Sequence, residues 1–410
     1  MFLKPELAAP AGDLEKLKTA VLFGADAVYA GGQNFSLRAA ATNFTEAEMA
    51  EGIAFAHKYN KKLYVTVNIY AHDKHLQKLP AYLQSLQEMG VDALIISDPG
   101  IFQIARETVP QMPVHISTQA NCTNTSAAVF WQKLGAKRIV LARELSIAES
   151  AQIAKNAEIE LEMFVHGAMC MAISGRCLLS SFMAKRGANL GDCAQPCRWE
   201  YHLEEKKREG SYFPIEEDRW GSYIFNSKDL CLIEYLPQIM MAGIKALKIE
   251  GRMKSAYYVA NIVRIYRQAI DACWNDPEGY FVKNKWKEEL SKVSHRQYTT
   301  GFATGELDSE AYVYDTGYSF RGYDFAGVVL GYEEANKRIL IEQRNHLALG
   351  DEIEIISPFQ EIYTTKITAI WDTEGNPREK LPHPKEKAYI ACEKSFTQGS
   401  IIRRLTKDVF

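Results

Sequence analysis

The sequence lacks any long apolar run. No stretch of its 410 residues approaches the roughly 20 consecutive apolar residues that span a bilayer, and the N-terminal MFLKPELAAPAG has no signal-peptide pattern. A strong charge of either sign is also missing, because the formal net charge is −3, so a nucleic-acid partner would need a local basic patch. We therefore expect a cytoplasmic protein without a membrane partner, whose thiols stay reduced.

Cysteine is scarce outside one segment. Four of the eight cysteines lie between residues 161 and 201, namely Cys170, Cys177, Cys193 and Cys197. Zinc ligands usually come in closely spaced pairs, and only Cys193 and Cys197 have that spacing. Four thiolates also bind an iron–sulfur cluster, which we favour over zinc. Small buried hydrophobes or a redox pair are the third interpretation.

From residue 1 to about 275 the sequence repeats one unit, which is an apolar strand, a polar or Gly-bearing loop and an amphipathic helix. Such alternation predicts parallel strands joined by helical crossovers. Capping boxes mark helix starts at Thr45 with Glu48 and at Ser146 with Glu149. Eight units favour a (β/α)8 TIM-like barrel over a doubly wound sheet. The expected strands cover residues 5–9, 25–30, 62–68, 93–98, 113–119, 138–144, 160–166 and 246–252.

A long insertion follows the seventh strand. This Cys-rich insertion, at about 168–224, contains all four clustered cysteines and ends before a helix predicted over 229–241. It is far longer than an ordinary βα loop. Long loops at the carboxyl ends of barrel strands are commonly lids or cofactor housings, so we expect the cysteines to lie over the barrel mouth.

The remaining third of the chain changes pattern. A helix predicted over 257–274 ends the barrel, and residues 276–312 form a helical connector. From residue 313 to 410, short period-two strands separated by turns predict a small antiparallel β-barrel domain. This domain has no cluster of catalytic residue types, so we expect it to bind a partner. Its candidate backbone contacts are Arg344, Lys366, Arg403 and Arg404.

Polar residues stand where the predicted barrel strands end. Because the chemistry of such barrels lies at the carboxyl ends of the strands, we expect these side chains to surround one pocket. The candidate catalytic residues are Asn68, Gln119, Arg143, His166, Glu250 and Arg252.

Several segments resemble one known family. FVHGAMCMAISGRCLLS is similar to the signature of peptidase family U32, the collagenase-like proteins, and GDCAQPCRWEY, FNSKDL, LKIEGRMKSAYYVA and SHRQYTTGF also resemble its blocks. The similarity extends over essentially the whole chain. The subgroup that the chain resembles is that of the tRNA hydroxylation proteins.

This resemblance implies a specific chemistry. It implies that the wobble uridine of certain tRNAs is hydroxylated to 5-hydroxyuridine by an O2-independent route that requires prephenate. It also implies an iron–sulfur cluster of the 4Fe–4S type, whose ligands are the four clustered cysteines. Cys231, beside FNSKDL, is an alternative fourth ligand.

Two functions of different classes follow. In the first, an RNA-modifying enzyme, Arg143 and Arg252 clamp carboxylates of a prephenate-like donor and Glu250 is a general acid or base. The second is a peptidase with a Cys170 and His166 dyad, although the sequence contains no HExxH or GxSxG motif. A scaffold or a small-molecule redox enzyme remains a further alternative. Iron and sulfide in the purified protein would favour the first function over the second.

Overall fold

The computed structural model describes most of the chain. The described residues are 3–36, 43–169, 228–305 and 322–406, together with residues 184 and 194, residues 312–313 and short strands between 203 and 227. Within these residues, no helix is both long and apolar enough to span a bilayer. The short strands pair as Leu203–Glu204 with Tyr212–Phe213, Glu216–Asp218 with Gly221–Tyr223, and Asn226–Ser227 with Tyr312–Val313.

Eight parallel strands close into the predicted barrel. Strands β1 to β7 pair in chain order, and β9 pairs with both β7 and β1, which completes the ring. Two further strands, β8 and β10, extend the sheet outside the ring. The strands are β1 Glu6–Pro10, β2 Ala27–Ala30, β3 Lys62–Val67, β4 Ala93–Ile96, β5 Val114–Ile116, β6 Arg138–Val140, β7 Glu160–Ala168, β8 Asp229–Cys231, β9 Ala246–Ile249 and β10 Tyr298–Thr299.

Helices surround the ring and bury its outward apolar residues. Both predicted capping boxes form; Thr45 Oγ1, for example, accepts from Glu48 N at 3.2 Å, and the Glu48 carboxylate accepts from Thr45 N at 2.9 Å. The helices are α1 Leu14–Leu22, α2 Glu46–Lys58, α3 Asp73–Leu76, α4 Leu79–Glu88, α5 Pro99–Thr108, α6 Thr125–Lys133, α7 Ile147–Asn156, α8 Leu236–Met241, α9 Ala256–Asn275 and α10 Asn284–Ser291.

The helix predicted over 229–241 is wrong in its first half. Residues 229–231 instead form β8, which runs antiparallel to β7 with Asp229 opposite Ala168. The neighbouring strand β6 ends at Val140 opposite Glu162, so the later residues of β7 have an open edge that β8 can occupy. A 3-10 turn over Ile233–Tyr235 follows, and α8 begins with Pro237 in its first turn, where proline is well tolerated.

The C-terminal residues form the predicted antiparallel β domain. Eight strands make a half-barrel sheet in the order β15-β14-β20-β11-β12-β19-β16-β17, while β13 pairs with β18. The segment 361–371 contains two strands, β15 and the start of β16. The strands are β11 Tyr323–Glu333, β12 Arg338–Gln343, β13 Leu347–Ala348, β14 Glu352–Ile356, β15 Tyr363–Lys366, β16 Ile370–Asp372, β17 Pro377–Arg378, β18 Lys380–Leu381, β19 Lys387–Ala391 and β20 Ile401–Leu405.

The β domain packs directly against the barrel's outer helices. Val328, Ile356 and Ile401 belong to the same buried apolar cluster as the barrel core. Arg403, with a fully buried side chain, donates to both carboxylate oxygens of Glu289 on α10 at 2.8 Å and to Tyr257 Oη on α9 at 3.2 Å. Buried ion pairs of this kind need such geometry to offset desolvation.

This junction corrects part of the sequence prediction. Arg403 is buried, and Arg404 is also buried and pairs with Asp351 at 3.0 Å. Arg344 pairs with Glu15 on α1 at 2.6 Å and with Glu342 at 2.7 Å. The prediction that Arg403 and Arg404 contact the backbone of a partner is therefore wrong, because both side chains are buried. The sequence shows where the arginines stand but not whether they are buried.

Candidate active site at the barrel mouth

The carboxyl ends of the parallel strands define the barrel mouth. Glu250 follows β9 and Arg143 follows β6 closely, and the structure brings them together, with Arg143 Nη2 3.7 Å from Glu250 Oε2. Tyr29, on β2, donates its hydroxyl to Ile249 O at 2.8 Å and lies 3.3 Å from Glu250 Oε2. Both charged side chains are largely buried, with 12% and 17% exposure, so their interaction is poorly screened by solvent.

Arg143 is well placed to bind an anion. Its guanidinium carbon lies 3.9 Å from the ring centroid of Phe164, and Nη1 donates to Ala168 O at 2.9 Å. Its Nε is buried and has no partner among the described residues. Buried donors are normally satisfied, so an acceptor on a ligand would complete this group. The arrangement thus offers a carboxylate for proton transfer beside a cation for carboxylate or phosphate binding.

Asn68 and Gln119 form a second group at the mouth. Asn68 directly follows β3, and its Nδ2 donates to Gln119 Oε1 at 2.7 Å. Gln119 lies in a 3-10 turn after β5, where Ser117 Oγ is 3.5 Å from the same oxygen. Both amides are half-buried. The structure therefore brings these two residues into contact, although they come from strands that are not adjacent in the ring.

Arg252 has a different set of contacts. Its Nη1 donates to Ser36 Oγ at 3.0 Å and its Nη2 to Asn43 Oδ1 at 2.9 Å, so it holds both ends of the β2–α2 loop. A Cβ on Gly31 would lie 2.3 Å from Arg252 Nη2 and 2.8 Å from Ser36 Cβ, so a larger residue there would displace the contact between Arg252 and Ser36. These contacts make Arg252 a positioning residue for the loop, and of the two predicted carboxylate clamps Arg143 is the better placed.

His166 lies apart from the other candidates. Its ring packs against α9 and β10, 5.3 Å from the rings of both Tyr266 and Tyr298, and Nδ1 is 3.4 Å from Tyr266 Oη. Burial lowers the pKa of His166 to about 3, although nearby Asp229 acts in the opposite direction. A bulge between Lys248 and Ile249 interrupts the β7–β9 register at this point. The prediction placed His166 in the mouth. Its backbone carbonyl does accept from Glu250 N at 2.8 Å, but the ring itself contacts Tyr266 and Tyr298.

The four clustered cysteines lie outside the described residues. The two ends of their insertion are placed, however, because Ala168 on β7 is paired with Asp229 on β8. Arg143 donates to the carbonyl of that same Ala168. The insertion therefore leaves the barrel and returns to it beside the Glu250–Arg143 pair.

Cys231, the alternative ligand, is described. It is the last residue of β8, and its sulfur lies 3.8 Å from Tyr266 Oη. Burial raises the pKa of its thiol to about 11. Within the described ranges there is no group of three or more His, Cys, Asp or Glu side chains arranged to hold a metal ion.

Sequence reasoning missed the charged residues inside the barrel. Glu162 on β7 accepts from Lys248 Nζ on β9 at 2.6 Å and from Arg138 Nη1 on β6 at 3.1 Å, and Arg138 also contacts Glu6 on β1 at 2.6 Å. Burial raises the pKa of Glu162, but the ion pairs with Lys248 and Arg138 outweigh it and hold the pKa below its ordinary value. The available signal was a single charge within an apolar strand, as in LEMFV and ALKI.

One groove lies at the end of the barrel opposite the mouth. This surface groove of about 700 Å³ lies between α7, α8 and the amino ends of β6 and β7, and is lined by alanine, lysine and glutamate side chains among others. The described polar groups that converge are instead at the mouth, and the mouth is the better candidate because barrel enzymes carry their chemistry there.

Comparison with known families shows to which family the chain belongs. A model of peptidase family U32 matches residues 12–312, and a model of the peptidase family U32 C-terminal domain matches residues 321–403. The chain belongs to peptidase family U32. This confirms the resemblance drawn from the sequence motifs, and the two matches cover both the barrel and the β domain.

The chain is also similar to individual proteins. It is 42% identical over 401 residues to tRNA hydroxylation protein P1 of Bacillus subtilis, covering 98% of this chain and 95% of that one. It is 38% identical to tRNA hydroxylation protein P of Escherichia coli, with 87% of each chain covered. A third relative, the 23S rRNA 5-hydroxycytidine C2501 synthase of Escherichia coli, is 38% identical over 65% of this chain and 39% of its own.

Proposed function

We propose that this protein is an RNA-hydroxylating enzyme that converts the wobble uridine of tRNA to 5-hydroxyuridine. The observation that carries the proposal is the 42% identity over 98% of the chain with a tRNA hydroxylation protein. The name of the rRNA relative supports hydroxylation of a pyrimidine in RNA as a shared activity. The substrate is then tRNA, and the U32 resemblance adds prephenate as the required small molecule.

In this proposal, the residues at the barrel mouth have separate roles. Arg143, with its buried Nε available for an acceptor, binds a carboxylate of prephenate. Glu250, 3.7 Å away, exchanges a proton with the substrate or donor. Asn68 and Gln119 provide amide donors and acceptors for the edge of the base.

An iron–sulfur cluster completes the proposed site. Cys170, Cys177, Cys193 and Cys197 would hold it, and its support is that their insertion begins and ends beside Arg143. When bound, such a cluster supplies an iron site that can take up a substrate. Zinc on the same cysteines is the alternative cofactor. Arg143 and Glu250 act on the organic substrates in either case.

Nucleoside analysis tests the reaction. In a strain of the source organism that lacks the gene, tRNA digested to nucleosides should contain no 5-hydroxyuridine formed by this route, and the wild-type gene should restore it. Loss of 5-hydroxycytidine from rRNA with unchanged tRNA would overturn the tRNA assignment. Unchanged nucleosides in both RNAs would overturn hydroxylation altogether.

Analysis of the anaerobically purified protein tests the cofactor. Brown protein with several irons and matching sulfide per chain is the expected result. Colourless protein loaded with zinc would overturn the cluster.

A peptidase is the second candidate, and the family's description favours it. The dyad that it needs pairs Cys170 with His166. The His166 ring is buried against Tyr266 and Tyr298, which is a poor place for a base that must reach a peptide. Anaerobic protein that cleaves denatured collagen, with activity abolished by Cys170→Ser, would support this candidate over RNA hydroxylation.

A further inference from the structure

Four charged side chains form a network inside the barrel beneath the mouth. This interior ion network consists of Glu6, Arg138, Glu162 and Lys248, linked in that order by contacts of 2.6, 3.1 and 2.6 Å. These two acids and two bases balance in charge, and two less buried side chains join them: Glu160 accepts from Arg138 at 2.9 and 3.0 Å, and Lys62 lies 3.2 Å from Glu6. Because buried charges are tolerated only when they are paired, removing one member alone would leave an uncompensated charge.

Lys248 is the member of the network that faces the mouth. Its Nζ lies 4.1 Å from the ring centroid of Tyr29 and 5.8 Å from that of Phe164. A cation within about 6 Å of a ring face is attracted by the ring's electrons, and the attraction is larger when both are buried. Arg138, the other base of the network, instead lies 5.7 Å from the ring centroid of Tyr64, whose hydroxyl donates to Glu6.

The two rings that Lys248 contacts also support the two members of the candidate catalytic pair. Tyr29 lies with its hydroxyl 3.3 Å from Glu250 Oε2. Phe164 lies under Arg143, with the guanidinium carbon 3.9 Å from its centroid. The buried Lys248 ammonium therefore lies near both rings that contact the pair, which are Tyr29 beside the Glu250 carboxylate and Phe164 beside the Arg143 guanidinium.

We propose that Lys248 is a positioning residue that fixes the Glu250–Arg143 pair through Tyr29 and Phe164, with Glu162 as its counter-ion. The inference rests on the proposed function of that pair. Displacing a catalytic group by about 1 Å can lower a rate on the order of 100-fold, so a support one contact away has a measurable effect. Lys248 itself takes no part in bond making.

A pair of charge-balanced double variants separates positioning from simple loss of stability. Glu162→Gln with Lys248→Met removes the half of the network beside the rings and leaves Glu6 paired with Arg138. Glu6→Gln with Arg138→Met removes the far half and leaves Glu162 paired with Lys248. Each variant loses one acid and one base of the network, and the far-half variant also removes the arginine partner of Glu160, so the far-half variant should be destabilised at least as much as the near-half variant.

The expected result is a difference in rate between the two variants. The near-half variant should lose about 10-fold or more in kcat for tRNA hydroxylation with little change in KM for tRNA, because the pair is misplaced while the RNA surface is intact. Its rate should also depend differently on pH, because a carboxylate near a removed cation is harder to ionise. The far-half variant should keep kcat within about 3-fold and keep the wild-type pH dependence.

A crystal structure of each variant gives a readout that needs no activity. The near-half variant should lose the contact between Tyr29 and Glu250, and the far-half variant should keep it. Equal kcat values and an unmoved Glu250–Arg143 pair in both variants would overturn the positioning role. If the wild-type protein hydroxylates no RNA, the proposed function fails, and the structures alone then decide whether Lys248 holds the pair.

Discussion

Cys231 lies at the end of β8 against Tyr266, which predicts that it is not a cluster ligand. Replacing Cys170, Cys177, Cys193 or Cys197 with alanine should remove most iron and the cluster absorption and abolish 5-hydroxyuridine formation, because each would supply a thiolate ligand. Cys231→Ala should keep both, because it removes only a buried sulfur. Iron per chain, visible absorption and tRNA nucleosides of the five single variants provide the measurement.

One pattern would reverse this assignment. A Cys231→Ala protein without iron beside a Cys197→Ala protein with normal iron would identify the downstream cysteine as the fourth ligand.

His166 predicts a specific pH dependence of stability. Burial lowers its pKa to about 3 in the folded protein, whereas the unfolded chain has the ordinary value of roughly 6.5. Below that ordinary value the unfolded state binds a proton that the folded state does not, so stability falls as the pH decreases from 6.5 towards 3, by up to about 1.4 kcal/mol per pH unit. Urea unfolding of wild type and His166→Gln at pH 7.5, 6.5 and 5.5 measures this.

The His166→Gln protein should be less stable at pH 7.5 and should approach the wild type as the pH falls, because it lacks the titrating group. Parallel pH dependences for the two proteins would show that His166 is not held neutral by the fold.

Strand-end position pointed to Glu250 and Arg143 but not to the residues beneath them. Glu250 and Arg143 were identifiable because polar residues at the ends of barrel strands face the mouth. Tyr29 and Lys248 lie within apolar runs, and the register that directs them into the ring depends on pairing between distant strands. Burial of Arg403 was equally hidden, since it depends on how the two domains meet.

At the scale of elements, the contact between α10 and β20 depends on a buried ion pair. Arg403 on β20 is paired with Glu289 on α10 inside the junction. Arg403→Met would leave Glu289 in a buried position with only Lys292 and Arg264 as partners. Removing one member of a buried ion pair is strongly destabilising, so the free energy of unfolding should fall by on the order of 3 kcal/mol.

A surface pair provides the control for this variant. Arg378 and Glu386 are 3.5 Å apart in the β domain with the arginine 40% exposed, so Arg378→Met should change stability by no more than about 1 kcal/mol. Urea unfolding of the two variants is the measurement. Similar losses in both would mean that the Arg403 contact does not stabilise the junction.

The elements themselves were largely predictable, because hydrophobic periodicity and capping are local signals. All eight barrel strands were expected, with bounds that differ by a few residues, and α9 was expected over 257–274 and spans Ala256–Asn275. A turn at Asp372 is likewise held by local contacts, since its Oδ1 accepts from the amides of Glu374 and Asn376. The strand β8 was not expected, because it forms only by pairing with β7.

For the whole molecule, the apolar junction predicts that the barrel depends on its β domain. A chain shortened after residue 312 would expose the barrel surface that now buries Val328, Ile356 and Ile401. We expect lower stability and binding of an apolar dye, in addition to any loss of tRNA affinity, because exposed apolar surface of this kind favours association. A shortened protein that unfolds at the wild-type urea concentration would contradict this dependence.

Full-length Lys366→Ala tests RNA binding without that complication, since Lys366 is exposed on β15. If it contacts a phosphate, the slope of log K against log salt should decrease by about 1. An unchanged slope would remove Lys366 from the RNA contact surface.

We propose that the Glu250–Arg143 pair at the barrel mouth takes part directly in RNA hydroxylation. The most direct measurement incubates purified, iron-loaded protein anaerobically with unmodified tRNA and prephenate, and quantifies 5-hydroxyuridine by mass spectrometry. Wild type should form it, while Glu250→Gln and Arg143→Met should each lose about 100-fold or more in rate and retain their iron. Wild-type rates in both variants, or product formation without prephenate, would contradict the account.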